Sequence, residues 1–157
     1  MALAGEVKNL ETLETRDITF TSDASQMQGY LARPKAPGTY PGIVVLHEAF
    51  GLVEHERDVA RRFANAGFIT LAPNVYSRVG APKSPPEMAE VMSKMFGLKD
   101  SQLVRDFEAA ASFIQAQPGC NGKVGCVGFC VGGRWRMFAE SDPSASSPAR
   151  VLNKMGL

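Results

Sequence analysis

The fold of this chain is decided by the stretch Val124-Gly125-Cys126-Val127-Gly128-Phe129-Cys130-Val131-Gly132-Gly133. A short apolar run, typical of a buried strand, leads directly into a Gly-x-Cys-x-Gly turn and then a helix start. Strand, tight turn and helix in this order predict a nucleophile elbow with sulfur in place of the usual serine oxygen. The turn is strained, so the residues beside the nucleophile must be glycine or very small.

Cys130 is therefore the first candidate for chemistry. At the carboxyl end of a strand and the start of a helix, backbone N–H groups and the helix dipole favour a thiolate and a developing oxyanion. The alternative is a small buried cysteine, which is the commonest fate of this residue. The glycine frame favours the nucleophile. Cys126, inside the strand, and Cys120, in a turn, are predicted to be structural.

Composition limits the classes of protein. The 157 residues are 45% apolar and carry a formal net charge of +1, which predicts one soluble domain with no nucleic-acid or membrane partner. The N-terminus has neither a basic region nor a long apolar run, so we expect no signal peptide. Three cysteines without a disulfide framework favour the reducing cytoplasm.

Strand and helix signals alternate along the chain. Two half-buried strands come first, and each later strand is a continuous apolar run of the kind that is buried on both faces of a parallel sheet. We therefore predict an α/β fold with a mostly parallel sheet and flanking helices. The predicted strands are 16–20, 27–32, 41–46, 68–72 and 123–127, and the predicted helices are 54–66, 86–96 and 101–115.

Two other strand ends carry polar side chains. Glu48 follows the buried run 41–46, and ligand sites of open parallel sheets lie at the carboxyl ends of strands. The backbone N–H of Ala49 could form an oxyanion hole with that of Val131. Arg78 follows the next strand, where a guanidinium could bind a substrate carboxylate. The alternatives are a surface carboxylate for Glu48 and a solvated loop arginine for Arg78.

His47 and His55 are the only histidines, and a thiol nucleophile normally needs an imidazole within hydrogen-bond reach. If Glu48 faces the site, His47 points elsewhere, because successive residues of a strand alternate. We therefore expect a structural, hydrogen-bonding role for His47. His55 opens a helix between two glutamates and is expected in solvent.

Three segments together resemble the dienelactone hydrolase family, whose members are also called carboxymethylenebutenolidases. The segments are Leu46-His47-Glu48-Ala49-Phe50-Gly51-Leu52, Ala72-Pro73-Asn74-Val75-Tyr76-Ser77-Arg78 and the run from Asn121 to Arg134. Their order and spacing make the resemblance much more specific than the elbow alone, and it extends from about residue 14 to about residue 136.

The resemblance implies an α/β-hydrolase fold and a Cys-His-Asp triad that acts on a lactone or ester, with no metal or organic cofactor. It assigns Cys130 as the nucleophile and Glu48 as the carboxylate that helps to generate the thiolate. It assigns Arg78 to the substrate carboxylate, and the amides of Ala49 and Val131 to the oxyanion hole. The substrate would be a small-molecule ester or lactone.

The sequence also departs from the family, because the histidine and aspartate of the triad follow later strands, and no such half comes after Arg134 here. We interpret 1–13 as a lead-in, 14–139 as a partial hydrolase domain and 140–157 as a divergent tail rich in serine and proline. We expect a C-terminally truncated hydrolase of weak or absent turnover that self-associates through an exposed sheet edge. The alternatives are a non-catalytic binding or regulatory fragment and, less favoured, a thiol redox protein.

Overall fold

The computed structural model describes residue 7 and residues 9–130, in which one five-stranded sheet carries helices on both faces. Along the sheet the strands follow the order β1-β2-β4-β3-β5. The strands are β1 (Leu13–Ser22), β2 (Ser25–Pro34), β3 (Tyr40–Leu46), β4 (Ile69–Pro73) and β5 (Cys120–Gly128), and the helices are α1 (Glu54–Asn65), α2 (Met88–Gly97) and α3 (Asp100–Gln115).

The described sheet is mixed. β1 pairs antiparallel with β2, and β2 with β4. β3 is parallel to both β4 and β5. Ser22 pairs with Ser25 across a two-residue turn, and so short a connection can only join antiparallel strands. The parallel half is the half joined through helices, as predicted.

Each face of the sheet packs against a different helix. Phe107 and Ile114 of α3 belong to the same buried cluster as Val44, whereas Ala60 of α1 belongs to a second cluster with Val45. Neighbouring residues of β3 thus face opposite sides, as the pleat requires, and the strand is apolar on both. This burial explains why its sequence is a continuous apolar run.

One glycine lets α3 lie close against the sheet. A Cβ added to Gly42 in β3 would come within 2.4 Å of Ile114 Cγ2 and 3.0 Å of Val124 Cγ2. Real Cβ atoms do not approach that closely, so a larger residue would push α3 away from β3. The contact sets the distance between the helix and the strands that carry the candidate site.

The structure confirms the predicted helices and strands, with small differences at their ends. It adds two short 3₁₀ helices that were not predicted, Leu10–Thr12 and Val75–Arg78. The predicted helix after the elbow and the divergent tail lie outside the described residues. No helix in the described part is both long and apolar enough to cross a membrane.

Candidate active site

Glu48 and Cys130 follow neighbouring parallel strands at the same level. Leu46, the last residue of β3, is paired with Gly128, the last residue of β5, and each candidate lies two residues further on. The carboxyl ends of parallel strands meet at one edge of a sheet, which is where ligands bind in open α/β sheets. The sequence-based expectation that these two residues share an edge agrees with this register.

Cys130 has an unusual backbone. Its φ is 54°, in the left-handed region that side-chain-bearing residues rarely adopt. Its side chain is exposed and forms no disulfide. A nucleophile elbow requires backbone strain of this kind at an exposed residue that follows a strand. The predicted oxyanion partner Val131 lies outside the described residues.

A cavity of about 520 Å³ opens at this edge. Its walls include Glu48 and Phe129, the residue before Cys130. The remaining lining is contributed by α1 and the residue that follows it, namely His55, Val59, Arg62, Phe63 and Ala66. His55 is exposed, as the sequence predicted, and it also lines this cavity. The lining is mostly apolar, with charged side chains at a few points, as expected of a pocket for a small organic molecule.

His47 is fully buried, and both of its ring nitrogens are engaged. The backbone N–H of Val75 donates to Nε2 at 3.1 Å, so Nδ1 carries the proton and donates to the Glu48 carbonyl at 2.6 Å. Burial lowers the pKa of His47 to about 4, because the charged ring would lose its hydration. The ring is therefore neutral at physiological pH and has no nitrogen to offer a substrate.

Two side chains that the sequence did not single out hold the loop between β3 and α1. The carboxylate of Glu56, a buried residue of α1, accepts from the backbone N–H of Glu48 at 3.4 Å and of Val53 at 3.3 Å. The hydroxyl of Tyr76 donates to the carbonyl of Ala49 at 2.7 Å. The loop is thus fixed from α1 on one side and from the segment after β4 on the other.

The backbone N–H of Ala49 is an open donor in this loop. Within the described residues it makes no hydrogen bond, although the carbonyl of Glu48 and the carbonyl of Ala49 itself both accept hydrogen bonds. A backbone donor without a partner, at the carboxyl end of a strand, fits the predicted oxyanion-hole role.

Arg78 lies at a different place from Glu48. Its guanidinium forms an ion pair with Asp106 at 2.7 Å and donates to the Ser22 carbonyl at 3.1 Å and to the Ser25 hydroxyl. Its hydrogen bond with Asp106 raises its pKa, so the group stays charged. Arg78 and Asp106 line a separate cavity of about 180 Å³ beside α3. The structure therefore brings Glu48 and Cys130 to one edge but does not bring Arg78 into the cavity lined by Glu48 and Phe129.

The sequence contains weak signals for the residues that were missed. Asp106 interrupts the apolar face of α3 between Leu103 and Ala110, and a charge at such a position indicates a buried ion pair. Glu56 is the third residue of α1, where a carboxylate can accept the free N–H groups at a helix start. Among the described residues, no group of three or more His, Cys, Asp or Glu side chains could hold a metal.

Comparison with known proteins gives one consistent result. The family model "Dienelactone hydrolase family" matches residues 27–147. A Yersinia pestis protein named "Putative carboxymethylenebutenolidase" is 30% identical over 164 residues, spanning 99% of this chain and 61% of that protein. An Escherichia coli K12 protein of the same name is 34% identical over 143 residues, spanning 87% and 52%.

A solved structure is similar in the same region. The crystal structure titled "Putative Dienelactone Hydrolase from Klebsiella pneumoniae subsp. pneumoniae MGH 78578" matches with a TM-score of 0.76 at 32% identity. The match covers 83% of this chain and 56% of that one. The chain thus spans between about half and three fifths of the length of the proteins that it matches.

Proposed function

Because this chain belongs to the dienelactone hydrolase family, we propose that it carries the nucleophile side of an ester or lactone hydrolase, with Cys130 as the nucleophile. The observation that carries the proposal is the Cys130 backbone, with a φ of 54° directly after a strand whose end is level with that of β3. Glu48 is its partner in forming the thiolate, and the Ala49 and Val131 amides receive the oxyanion.

The chemistry follows from these roles. The thiolate attacks the carbonyl carbon of the ester or lactone, and the carbonyl oxygen takes the negative charge. The acyl C–O bond then breaks, which leaves a thioester on Cys130 and releases an alkoxide, tethered in the case of a lactone. Water must attack the thioester to release the acid and restore the thiol, and that step needs a base.

Deacylation is the slow step in this proposal. The 157 residues contain two histidines: the ring nitrogens of His47 are both hydrogen-bonded inside the fold, and His55 is exposed in the first turn of α1 rather than at a strand end beside Cys130. We therefore propose that the chain is acylated once and turns over slowly or not at all. The same observation supports the second candidate, a non-catalytic binding or regulatory chain of this fold, which would not be acylated.

Three further assignments are proposals. Arg78 could bind a substrate carboxylate only through the part of its guanidinium that does not bond Asp106, Ser22 and Ser25. We propose a cytoplasmic location because none of the three cysteines forms a disulfide, as in proteins of reducing compartments. We propose a second copy of this chain as the partner at the open edge of β5.

The test is single-turnover acylation by p-nitrophenyl acetate, followed through p-nitrophenolate release and mass spectrometry. We expect one acetyl group on Cys130, a burst of one equivalent and a slow steady phase. Cys130→Ala should abolish the burst, whereas the control variants Cys120→Ser and Cys126→Ser should keep it. A wild-type chain that gives no burst would support the non-catalytic candidate, and steady turnover at many equivalents would contradict the slow deacylation.

A further inference from the structure

We infer that His47 is a positioning residue that aims the Ala49 N–H at the oxyanion by holding the peptide between Glu48 and Ala49. The inference rests on the proposed function, because the Ala49 N–H binds an oxyanion only if the chain is acylated. It assigns a role in the reaction to a histidine that touches neither the substrate nor the reacting atoms.

The Glu48–Ala49 peptide carries both the carbonyl that His47 binds and the N–H of Ala49. The Glu48 carbonyl accepts from His47 Nδ1 at 2.6 Å and from the Gly51 N–H at 3.2 Å. A trans peptide is planar, so the N–H of Ala49 points away from that carbonyl. Whatever fixes the direction of the carbonyl therefore fixes the direction of the Ala49 N–H.

The hydrogen bonds of the His47 imidazole fix its tautomer. The Val75 N–H donates to Nε2 at 3.1 Å, which requires a lone pair there and leaves the only ring proton on Nδ1. The hydrogen bond to the Glu48 carbonyl is thus always a donation by His47. Val75 follows β4, so the ring links the ends of two neighbouring strands through backbone groups alone.

Packing holds the His47 ring rigidly. His47 has no exposed surface, and its ring packs against Tyr76 with 5.4 Å between the centroids. The hydroxyl of Tyr76 donates to the Ala49 carbonyl at 2.7 Å. The carbonyls on both sides of the Ala49 amide are therefore held by two packed rings, and the N–H between them is left free for a ligand.

The experiment compares two reactions of the same thiol in the full chain. Acylation by p-nitrophenyl acetate develops an oxyanion, whereas alkylation by iodoacetamide displaces iodide from carbon and develops none. We expect His47→Phe and Tyr76→Phe each to slow acylation of Cys130 by about 10- to 100-fold, since loss of one oxyanion donor costs about 10²–10³-fold. Alkylation should stay within about twofold of wild type.

Two comparisons make the result specific. Tyr40→Phe is the matched control for Tyr76→Phe, because the Tyr40 hydroxyl also donates to a backbone carbonyl, that of Ala36 at 3.0 Å, away from the site. It should leave both rates unchanged. His47→Gln keeps one donor and one acceptor and should recover part of the acylation rate. His47→Met, which also lacks a ring nitrogen, is the second variant that decides the matter if His47→Phe does not fold.

The outcomes separate the inference from the proposed function. Wild-type acylation rates in His47→Phe and His47→Met, or equal losses of acylation and alkylation, would overturn the positioning role while leaving Cys130 as the nucleophile. A wild-type chain that is alkylated but never acylated would overturn the proposed function. In that case the direction of the Ala49 N–H is measured by residual dipolar couplings, and an unchanged direction in His47→Phe and His47→Met would overturn the inference.

Discussion

At the scale of single residues, Arg78 illustrates how a buried carboxylate constrains its partner. The Asp106 side chain is 2% exposed and accepts from Ser22 and Gln102 as well as from Arg78. Removing the guanidinium would leave a buried charge with only neutral donors. We expect Arg78→Met to lower the free energy of unfolding by about 3 kcal/mol, in the range for broken buried pairs, as measured by urea denaturation.

The control for this prediction is Arg105→Met. Arg105 pairs with Asp23 at 3.1 Å, but both side chains are about half exposed, so water screens the pair and its loss should change the stability little. Equal losses in the two variants would contradict a buried, structural pair at Arg78. If Arg78 also binds the substrate, its removal should slow acylation by anionic esters more than by neutral ones.

His47 makes stability depend on pH. Its pKa is about 4 in the folded chain and about 6.5 when unfolded, so at neutral pH both states hold the same neutral ring. As the pH falls through 6.5, His47 binds a proton in the unfolded state but not in the folded state, so the free energy of unfolding falls until about pH 4. The total loss is about 3 kcal/mol.

The measurement compares wild type with His47→Gln, which carries every other titrating group. Urea denaturation between pH 7 and pH 4 should show the stability advantage of wild type shrinking as the pH falls. A difference that stays constant over this range would contradict the buried neutral ring.

At the scale of elements, the start of α1 depends on one side chain. The side chain of Val53, the residue before the helix, cannot accept a hydrogen bond from the free N–H groups. The buried Glu56 carboxylate accepts from the N–H groups of Val53 and Glu48. We expect Glu56→Gln to cost about 1–2 kcal/mol of unfolding free energy, as a lost charge-assisted bond does, measured by urea denaturation. Glu54→Gln, at an exposed site in the same turn, is the matched control.

A second substitution tests whether Glu56 stabilises the chain by capping α1. Val53→Thr supplies a side-chain oxygen for the helix start and should reduce the cost of Glu56→Gln. A full additive cost in the double variant would mean that Glu56 stabilises the chain by something other than capping α1.

The sequence predicted some elements well because their signals are local. α1 and α3 carry apolar residues at helical spacing and end where the pattern ends. The 3₁₀ helix Val75–Arg78 was missed, although the Asn74 side chain accepts from the Tyr76 N–H, a local turn signal that can be read from the sequence. β1 runs from Leu13 to Ser22, beyond the predicted 16–20, because its ends are defined by pairing with β2.

The candidate site divides in the same way. Glu48 and Cys130 could be predicted because both follow apolar strands, and parallel strands end together. The partners of Arg78 could not, since Ser22, Ser25 and Asp106 lie 28 to 56 residues away and meet it only after the hairpin and α3 pack together. His55 is exposed, as its helix pattern predicted, but that pattern says nothing about the cavity that His55 lines with Glu48.

At the scale of the whole molecule, β5 is a strand at the edge of the described sheet. In the described part of the chain it pairs only with β3, so its other edge carries backbone donors and acceptors without strand partners. Phe129, which follows it, is 45% exposed. An open edge beside an apolar side chain is a template for pairing with another strand.

We expect this 157-residue chain to self-associate through the β5 edge, which would pair those groups and cover the apolar surface beside them. Sedimentation velocity over a range of concentrations should show a sedimentation coefficient that rises with concentration. Phe129→Lys should shift the association to higher concentration, because a charge at the edge opposes pairing, whereas Phe96→Lys, at a still more exposed phenylalanine on α2, should not. A monodisperse monomer that unfolds cooperatively would contradict the prediction, and association weakened equally by both variants would assign it to general surface hydrophobicity instead.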